Sequence, residues 1–403
     1  MARVMLIYGT RPEAVKMAPL VSRLRRSADV DPVVVVTGQH RTMLDEINAF
    51  FDIVPDHDLD LMRDRQELSE LAGHALLALE RHLRREAPAA VVVQGDTTTA
   101  LAGALATFHA RIPLVHLEAG LRVPGPGAPF PEETNRRLIG RLARLHLAPT
   151  VACRNNLLAE DVPPDDIAVV GNTVVDALLI AVRHTAPFRD PLLEDVTAHR
   201  QVVVVTMHRR ESWGERMAQV MAAVRELARS RPAVHVVFPV HRNPVVRDLV
   251  VPTLGDLPNV HLVDPLPYGE FVRLISRSFV VLTDSGGIQE EAPALGKPVL
   301  VLRDSTERIE AVRAGVAQVV GTGSDSILGH CLSLLDNPVR YRSMARRRSP
   351  FGDGRAAARS AAAIAELLGV GVRLPDFRGD DPDAQKDNSP VAPPRRVTSA
   401  GRV

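Results

Sequence analysis

Gln94-Gly-Asp-Thr-Thr-Thr99 follows the run Val91–Val93, and His116-Leu-Glu-Ala-Gly-Leu-Arg122 follows Ile112-Pro-Leu-Val115. A short β-branched run ending abruptly in Gly, Asp or Glu reads as a buried parallel strand with its carboxyl end exposed to a crevice. Ligands bind at such ends in open α/β sheets. A third acidic stretch, Pro131-Glu-Glu-Thr-Asn-Arg-Arg137, follows closely. Asp96, Glu118 and Glu132, with Arg122 and Arg136 nearby, suggest proton chemistry on an anionic substrate. Capping or salt bridging is the plainer reading of such carboxylates, and it fits Glu133 better than Asp96 or Glu118.

Outward from these stretches the pattern repeats. Candidate strands lie at Val4–Tyr8, Val33–Thr37, Ala90–Gln94, Pro113–Leu117, Leu145–Ala148 and Ile167–Val170, with amphipathic stretches such as Ala14–Arg26 and Leu68–Arg85 between them. After a Pro- and Asp-containing stretch near 186–196 a second set begins: Gln201–Thr206, Val234–Pro239, Val260–Val263, Phe279–Thr283, Pro298–Leu302 and Ala317–Val320. The expected fold is α/β, two Rossmann-like doubly wound domains with a central cleft. The first domain is expected over residues 1–172 and the second over 173–370. A last helix over Gly354–Leu368 has the option of packing back on the first domain. Residues 371–403, poor in apolar periodicity, read as a disordered tail.

The chain has 403 residues, 45% of them hydrophobic, and a net charge of +1. That balance gives no global field for nucleic acid or a membrane surface. Positive charge is almost all arginine, lysine occurring only at Lys16, Lys297 and Lys386. Cys153 and Cys331 lack C-x-x-C spacing, so neither a disulfide framework nor a cysteine zinc site is supported. No run approaches the roughly 18 apolar residues that span a bilayer, and no signal peptide is legible. A cytoplasmic location is the expectation.

Polar signatures close most other strands. Gly9-Thr-Arg-Pro-Glu13 joins a tight turn to a proline suited to a first helical turn and places Arg11 toward the cleft. Thr37-Gly-Gln-His40, Thr206-Met-His-Arg-Arg-Glu211 and Pro239-Val-His-Arg-Asn243 follow three more strands. Asp284-Ser-Gly-Gly287, opening a helix over Ile288–Leu295, is the best phosphate site, because two glycines let backbone N–H groups approach an anion at a helix N-terminus. The alternative there is an ordinary serine N-cap. Neither a Gly-x-Gly-x-x-Gly fingerprint nor a P-loop occurs, so NAD and ATP chemistry are unsupported. A lone histidine is more often structural, but Arg209, Arg210 and Arg242 beside His208 and His241 suggest a polar, anion-facing setting. Asp56-His-Asp58, beside Asp60 and Asp64, reads as a solvated acidic loop rather than a metal motif, and no metal is expected.

Taken as a set and in order, GTRPEAVKMAPL at 9–20, TGQH at 37–40, QGDTTT at 94–99, HLEAGLR at 116–122, PFPEETNRR at 129–137, GNTVVD at 171–176, MHRRES at 207–212 and LTDSGGIQEEAPALGKPVLVLR at 282–303 resemble the non-hydrolysing UDP-N-acetylglucosamine 2-epimerases. The resemblance runs from about residue 3 to about 365 and implies the two-domain fold shared with GT-B glycosyltransferases. It implies interconversion of UDP-GlcNAc and UDP-ManNAc without a cofactor, by elimination of UDP to a 2-acetamidoglucal and its re-addition.

By the same resemblance Asp96, Glu118 and Glu132 carry the acid–base roles, with His208 near the leaving group. Arg11, Lys16 and Arg136 match basic residues of the active site. Ser285, Gly286 and Gly287 would hold the phosphates, Glu291 the ribose hydroxyls, Phe271 the uridine, and Arg308 would complete the nucleotide pocket. Gln39, Arg65, Arg209 and His241 match positions at which many bacterial members bind a second UDP-GlcNAc as allosteric activator. A homodimer is the family expectation. Three departures stand out: Thr42 stands where a longer polar side chain is common in that second site, Val123-Pro-Gly-Pro-Gly-Ala128 replaces a more polar loop, and Ile309 stands where proline is common. A hydrolysing epimerase and a GT-B glycosyltransferase using a UDP-sugar are the alternatives, and a silent UDP-sugar sensor is a third. A transferase would not need the acidic trio.

Overall fold

The computed structural model describes residues 1–38, 41–63, 66–123, 130–184, 186–209, 212–345 and 349–379. The first half builds one parallel sheet from β1 (Ala2–Tyr8), β2 (Val30–Val36), β3 (His57–Asp58), β4 (Ala90–Gln94), β5 (Leu114–Leu117), β6 (Leu145–Ala148) and β7 (Ile167–Val169). Its strand order is β3-β2-β1-β4-β5-β6-β7. The second half builds another from β8 (Gln201–Thr206), β9 (Val234–Pro239), β10 (Val260–Val263), β11 (Val280–Thr283), β12 (Val299–Val301) and β13 (Ala317–Val319), in the order β10-β9-β8-β11-β12-β13. Every pairing is parallel. The expected α/β class and two doubly wound sheets are therefore what the chain forms.

The cause lies in the strand composition. Val4 to Tyr8 and Val202 to Val205 are fully buried, with side chains on both faces covered by helices, as a parallel sheet between helical layers requires. Both strand orders reverse direction at their middle, between β1 and β4 and between β8 and β11. A doubly wound sheet opens a crevice at such a reversal, outside the strand carboxyl ends. The two crevices are built alike. Thr37 and Thr99 hydroxyls meet at 2.9 Å in the first, and Thr206 and Thr283 at 2.7 Å in the second. Under the first pair lies Gly9, where a Cβ would come within 2.1 Å of the Thr37 hydroxyl oxygen. Glycine there is a packing necessity.

The helix Thr173–Arg183 leaves β7 and packs on Arg11–Arg25 of the first half and on Tyr268–Arg277 and Gly286–Ala294 of the second. The helix Ala356–Leu367 returns to lie on Arg11–Arg25 and Thr173–Arg183. Its first backbone N–H groups, Ala356 and Ala357, donate to the buried Asp176 carboxylate at 3.1 and 2.9 Å, a helix N-terminus closed by a distant anion.

Two expectations need correction. The tail is not disordered from 371 onward: the Phe377 ring is buried, Phe377 N donates to Val169 O at 2.7 Å, and Asp376 accepts from Val169 N at 3.1 Å. Residues 371–379 thus satisfy the free edge of β7, with Arg373 donating to Ile167 O at 2.8 Å. Backbone pairing, not apolar periodicity, orders them. Residues 380–403 lie outside the described residues. The acidic stretch at 56–58 is also more than a solvated loop. His57 and Asp58 form the edge strand, Asp56 accepts from Val34 N at 2.7 Å, and Asp58 pairs with Arg41 at 2.7 Å. Among the described residues no helix is long and apolar enough to cross a membrane.

Candidate active site

The centre of the cleft is Glu118, one residue past β5. It adopts a left-handed backbone, φ 66°, uncommon for a residue with a Cβ. Gly95, just past β4, faces it: a Cβ there would lie 3.7 Å from Glu118 Oε2. The carboxylate accepts from Lys16 Nζ at 2.6 Å through both oxygens, from Gln94 Nε2, and from Asn172 Nδ2 at 3.0 Å. Burial pushes the Glu118 carboxyl upward. Lys16, with Arg308 and the Asn172 amide, more than reverses this and holds it below the usual carboxylate range. Burial likewise disfavours the Lys16 ammonium, but the Glu118 and Glu290 carboxylates keep it charged and raise its pKa.

Asp96 behaves oppositely. Arg136 holds it at 2.9 Å, and Asn135 Nδ2 donates to its backbone carbonyl at 2.9 Å. Burial raises the Asp96 carboxyl, the Glu118 charge adds to that, and Arg136 and Lys16 offset only part. Two neighbouring carboxyls are therefore shifted in opposite directions, Glu118 held as the carboxylate by its cations and Asp96 raised by burial. Arg136 is buried and also pairs with Glu133 at 2.9 Å. Glu133 accepts in addition from Arg137 and from Val123 N. It is a salt-bridge hub, as its surroundings in the sequence suggest. Glu132 opens the helix Glu132–Leu142 half-buried, and its side chain makes no hydrogen bond or ion pair among the described residues. It is not drawn into the Asp96–Glu118 cluster.

From the second half the helix Gly286–Ala294 aims its N-terminus at the crevice. Ser285 is its N-cap residue, and its N–H donates to Thr283 Oγ1 at 2.9 Å. A Cβ on Gly287 would meet nothing within 4 Å, whereas one on Gly286 would press on Glu307 Oε1 at 2.9 Å. Glu290, on the same helix, receives Arg308 Nε at 2.6 Å and Asn172 Nδ2 at 2.7 Å. Arg308 stays charged despite its burial because Glu290, Glu307 and Glu118 surround it. Burial and the neighbouring Glu290 push Glu291 up to about 7, against the pull of Lys16 and Arg11.

The half-exposed His208 ring lies 3.3 Å from Asp284, whose carboxylate also accepts from His208 N at 3.2 Å and Arg209 N at 3.1 Å. Arg209 pairs with Glu307 at 3.3 Å. Phe271 packs half-buried against the core from the helix Tyr268–Arg277. Arg11 opens the helix Arg11–Arg25 and acts electrostatically on Tyr268 and Glu291. His241 is exposed past β9 and accepts from Asn243 N at 3.2 Å. Gln39 and Arg65 lie outside the described residues, as do residues 124–129 of the loop before Phe130.

Sequence reading missed three members of this cluster. Gln94 and Asn172 feed the Glu118 carboxylate, and Glu290 anchors Arg308. The Glu290-Glu291 doublet was the available signal, but consecutive helix positions diverge by about 100°, and only the packing of the helix shows that Glu290 is the one that meets Arg308.

The family model for UDP-N-acetylglucosamine 2-epimerase matches residues 22–365. The UDP-N-acetylglucosamine 2-epimerase of Escherichia coli K12 is 46% identical over 364 residues, covering 89% of this chain and 96% of its own. That of Bacillus subtilis is 45% identical over 368 residues, covering 91% and 95%. The UDP-GlcNAc 2-epimerase of Neisseria meningitidis, solved bound to UDP-GlcNAc, superposes with a TM-score of 0.81 at 41% identity, over 91% of this chain and 99% of that one. With two doubly wound sheets, an acidic cleft and matches over nearly its whole described length, the chain belongs to the UDP-N-acetylglucosamine 2-epimerase family.

Proposed function

We propose that this protein is a non-hydrolysing UDP-GlcNAc 2-epimerase. A carboxylate takes the C2 proton while the C1–O bond breaks, and UDP departs with the bonding electron pair. The C1–C2 double bond of a 2-acetamidoglucal remains. A second group then delivers a proton to the opposite face of C2, and the UDP oxygen re-forms its bond to C1. No redox change occurs, and no cofactor is called for.

The observation that carries this reading is the opposed tuning of Asp96 and Glu118 at the ends of adjacent strands. Asp96, whose carboxyl burial raises above its ordinary value, is suited to taking the proton. Glu118 with Lys16 Nζ, 2.6 Å apart, forms a unit able to hold one. Glu132 remains a third candidate, and His208 is assigned to the leaving group. The nucleotide half, residues 173–370, would hold the diphosphate on Ser285, Gly286 and Gly287, the ribose on Glu291 and the uracil near Phe271. Arg11, Arg136 and Arg308 would supply charge as the glycosidic bond breaks. Retention of UDP in the cleft is what separates this chemistry from hydrolysis. Activation by a second UDP-GlcNAc through Arg209 and His241 is part of the same proposal.

Replacing Asp96 by Asn tests it. Turnover of UDP-GlcNAc should fall by at least about three orders of magnitude, within the range general-base catalysis supplies, while calorimetric UDP affinity stays near wild type. Wild-type turnover in that variant would remove Asp96 from the mechanism.

A further inference from the structure

The cleft contains a carboxylate–amide–carboxylate bridge that joins the two sheets. Asn172, between β7 and the helix Thr173–Arg183, is 3% exposed. Its Oδ1 accepts from Val174 N at 3.0 Å, which fixes the amide so that the NH2 group faces the cleft. Nδ2 donates to Glu118 Oε1 at 3.0 Å and to Glu290 Oε2 at 2.7 Å. Each carboxylate is then completed by a cation from its own side: Lys16 on Glu118, and Arg308 on Glu290 at 2.6 Å.

We propose that Asn172 is a positioning residue that couples nucleotide occupancy at the helix Gly286–Ala294 to the Glu118 carboxylate. This rests on the epimerase reading for what the nucleotide is. The Arg308 guanidinium carbon lies 3.6 Å from where a Cβ on Gly286 would stand, at the N-terminus where a nucleoside diphosphate would bind. An anion arriving there competes with Glu290 for Arg308. Glu290 then leans more on its remaining donor, Asn172, and the hold of Asn172 on Glu118 changes with it. Glu118 becomes a different base with UDP bound than without.

The test separates this role from helix capping. Asn172→Ser retains a side-chain oxygen that can cap but cannot donate to both carboxylates. In protein carrying 13C-carboxyl glutamate, with Glu118 assigned by Glu118→Gln, the titration midpoint of Glu118 is followed by NMR with and without UDP. In wild type UDP should move the midpoint. In Asn172→Ser the UDP-free midpoint should rise by about one pH unit, since a bond to the ionised form is lost, and the response to UDP should vanish. Glu290→Gln should move the UDP-free midpoint downward, because a neighbouring like charge is removed. A Glu118 midpoint and UDP response unchanged by Asn172→Ser would overturn the inference, even if the variant were less stable. Absence of UDP-GlcNAc turnover in the wild type would sink the epimerase reading instead, and leaves the titration result standing.

Discussion

Removing the Lys16 ammonium should change both the stability of this protein and the sign of its pH dependence. Lys16 Nζ sits 2.6 Å from both Glu118 oxygens, and the two side chains are 18% and 10% exposed. Breaking a buried ion pair by deleting one partner costs about 3–5 kcal/mol. Here Gln94 and Asn172 go on donating to Glu118, so Lys16→Met should cost about 2–4 kcal/mol at pH 8. In the wild type the Glu118 carboxyl is held below its ordinary value, so its contribution is complete above the usual carboxylate range and is lost on acidification. Without Lys16, burial pushes it the other way, opposed by Arg308 and the Asn172 amide. A carboxyl raised in the folded state loses stability as pH rises through its titration. The deficit of the variant should therefore be largest at pH 8 and shrink toward pH 5, by about 1.4 kcal/mol for each unit by which the Glu118 pKa then stands above 5. Scanning calorimetry of both proteins at the two pH values measures this, with hydrogen exchange of the Leu114–Leu117 amides reporting on the local site. A melting-temperature deficit that is the same at both pH values, or absent, would refute the reasoning.

Three further outcomes follow from the same geometry. Gly287→Ala meets open space and should stabilise the helix Gly286–Ala294 by up to about 1 kcal/mol, yet weaken UDP binding because the methyl group occupies the phosphate approach; unchanged UDP affinity by calorimetry would move the phosphates elsewhere. If the ionised Glu291 accepts from ribose, UDP affinity should fall as pH drops through about 7, and Glu291→Gln should bind more weakly and lose that dependence. Asp176 is raised to about 6 by burial, so its contribution to stability declines as pH rises from the ordinary carboxylate range to about 6. Asp176→Asn should flatten that decline, and calorimetry between pH 4 and 7 checks it.

How much was legible in the chain depended on what kind of force set each feature. Strand runs such as Ala90–Gln94, Leu145–Ala148 and Gln201–Thr206 end where the sequence reading places them, because continuous β-branched segments bounded by turn residues are dictated locally. The two-residue β3 escaped, having no run of its own and existing only through its register against Val35 and Val36. Residues 371–379 escaped for a related reason: their order comes from pairing with β7, which no local pattern announces. In the site, Asp96 and Glu118 were visible because strand ends are where crevices form. Asn172 and Glu290 were not, since each matters through a partner more than 50 residues distant in the chain, Asn172 with Glu118 and Glu290 with Asn172. Only the fold brings those carboxylates to one amide.

The most direct test of the account is proton NMR of UDP-GlcNAc incubated with the purified protein in D2O. Loss and return of the C2 proton within the cleft predicts UDP-ManNAc carrying deuterium at C2, with no free sugar accumulating. Free ManNAc and UDP would mean that water captures the sugar and that the protein is a hydrolysing epimerase. UDP-ManNAc formed with its C2 hydrogen fully retained as protium would contradict proton exchange through the Asp96 and Glu118 carboxyls.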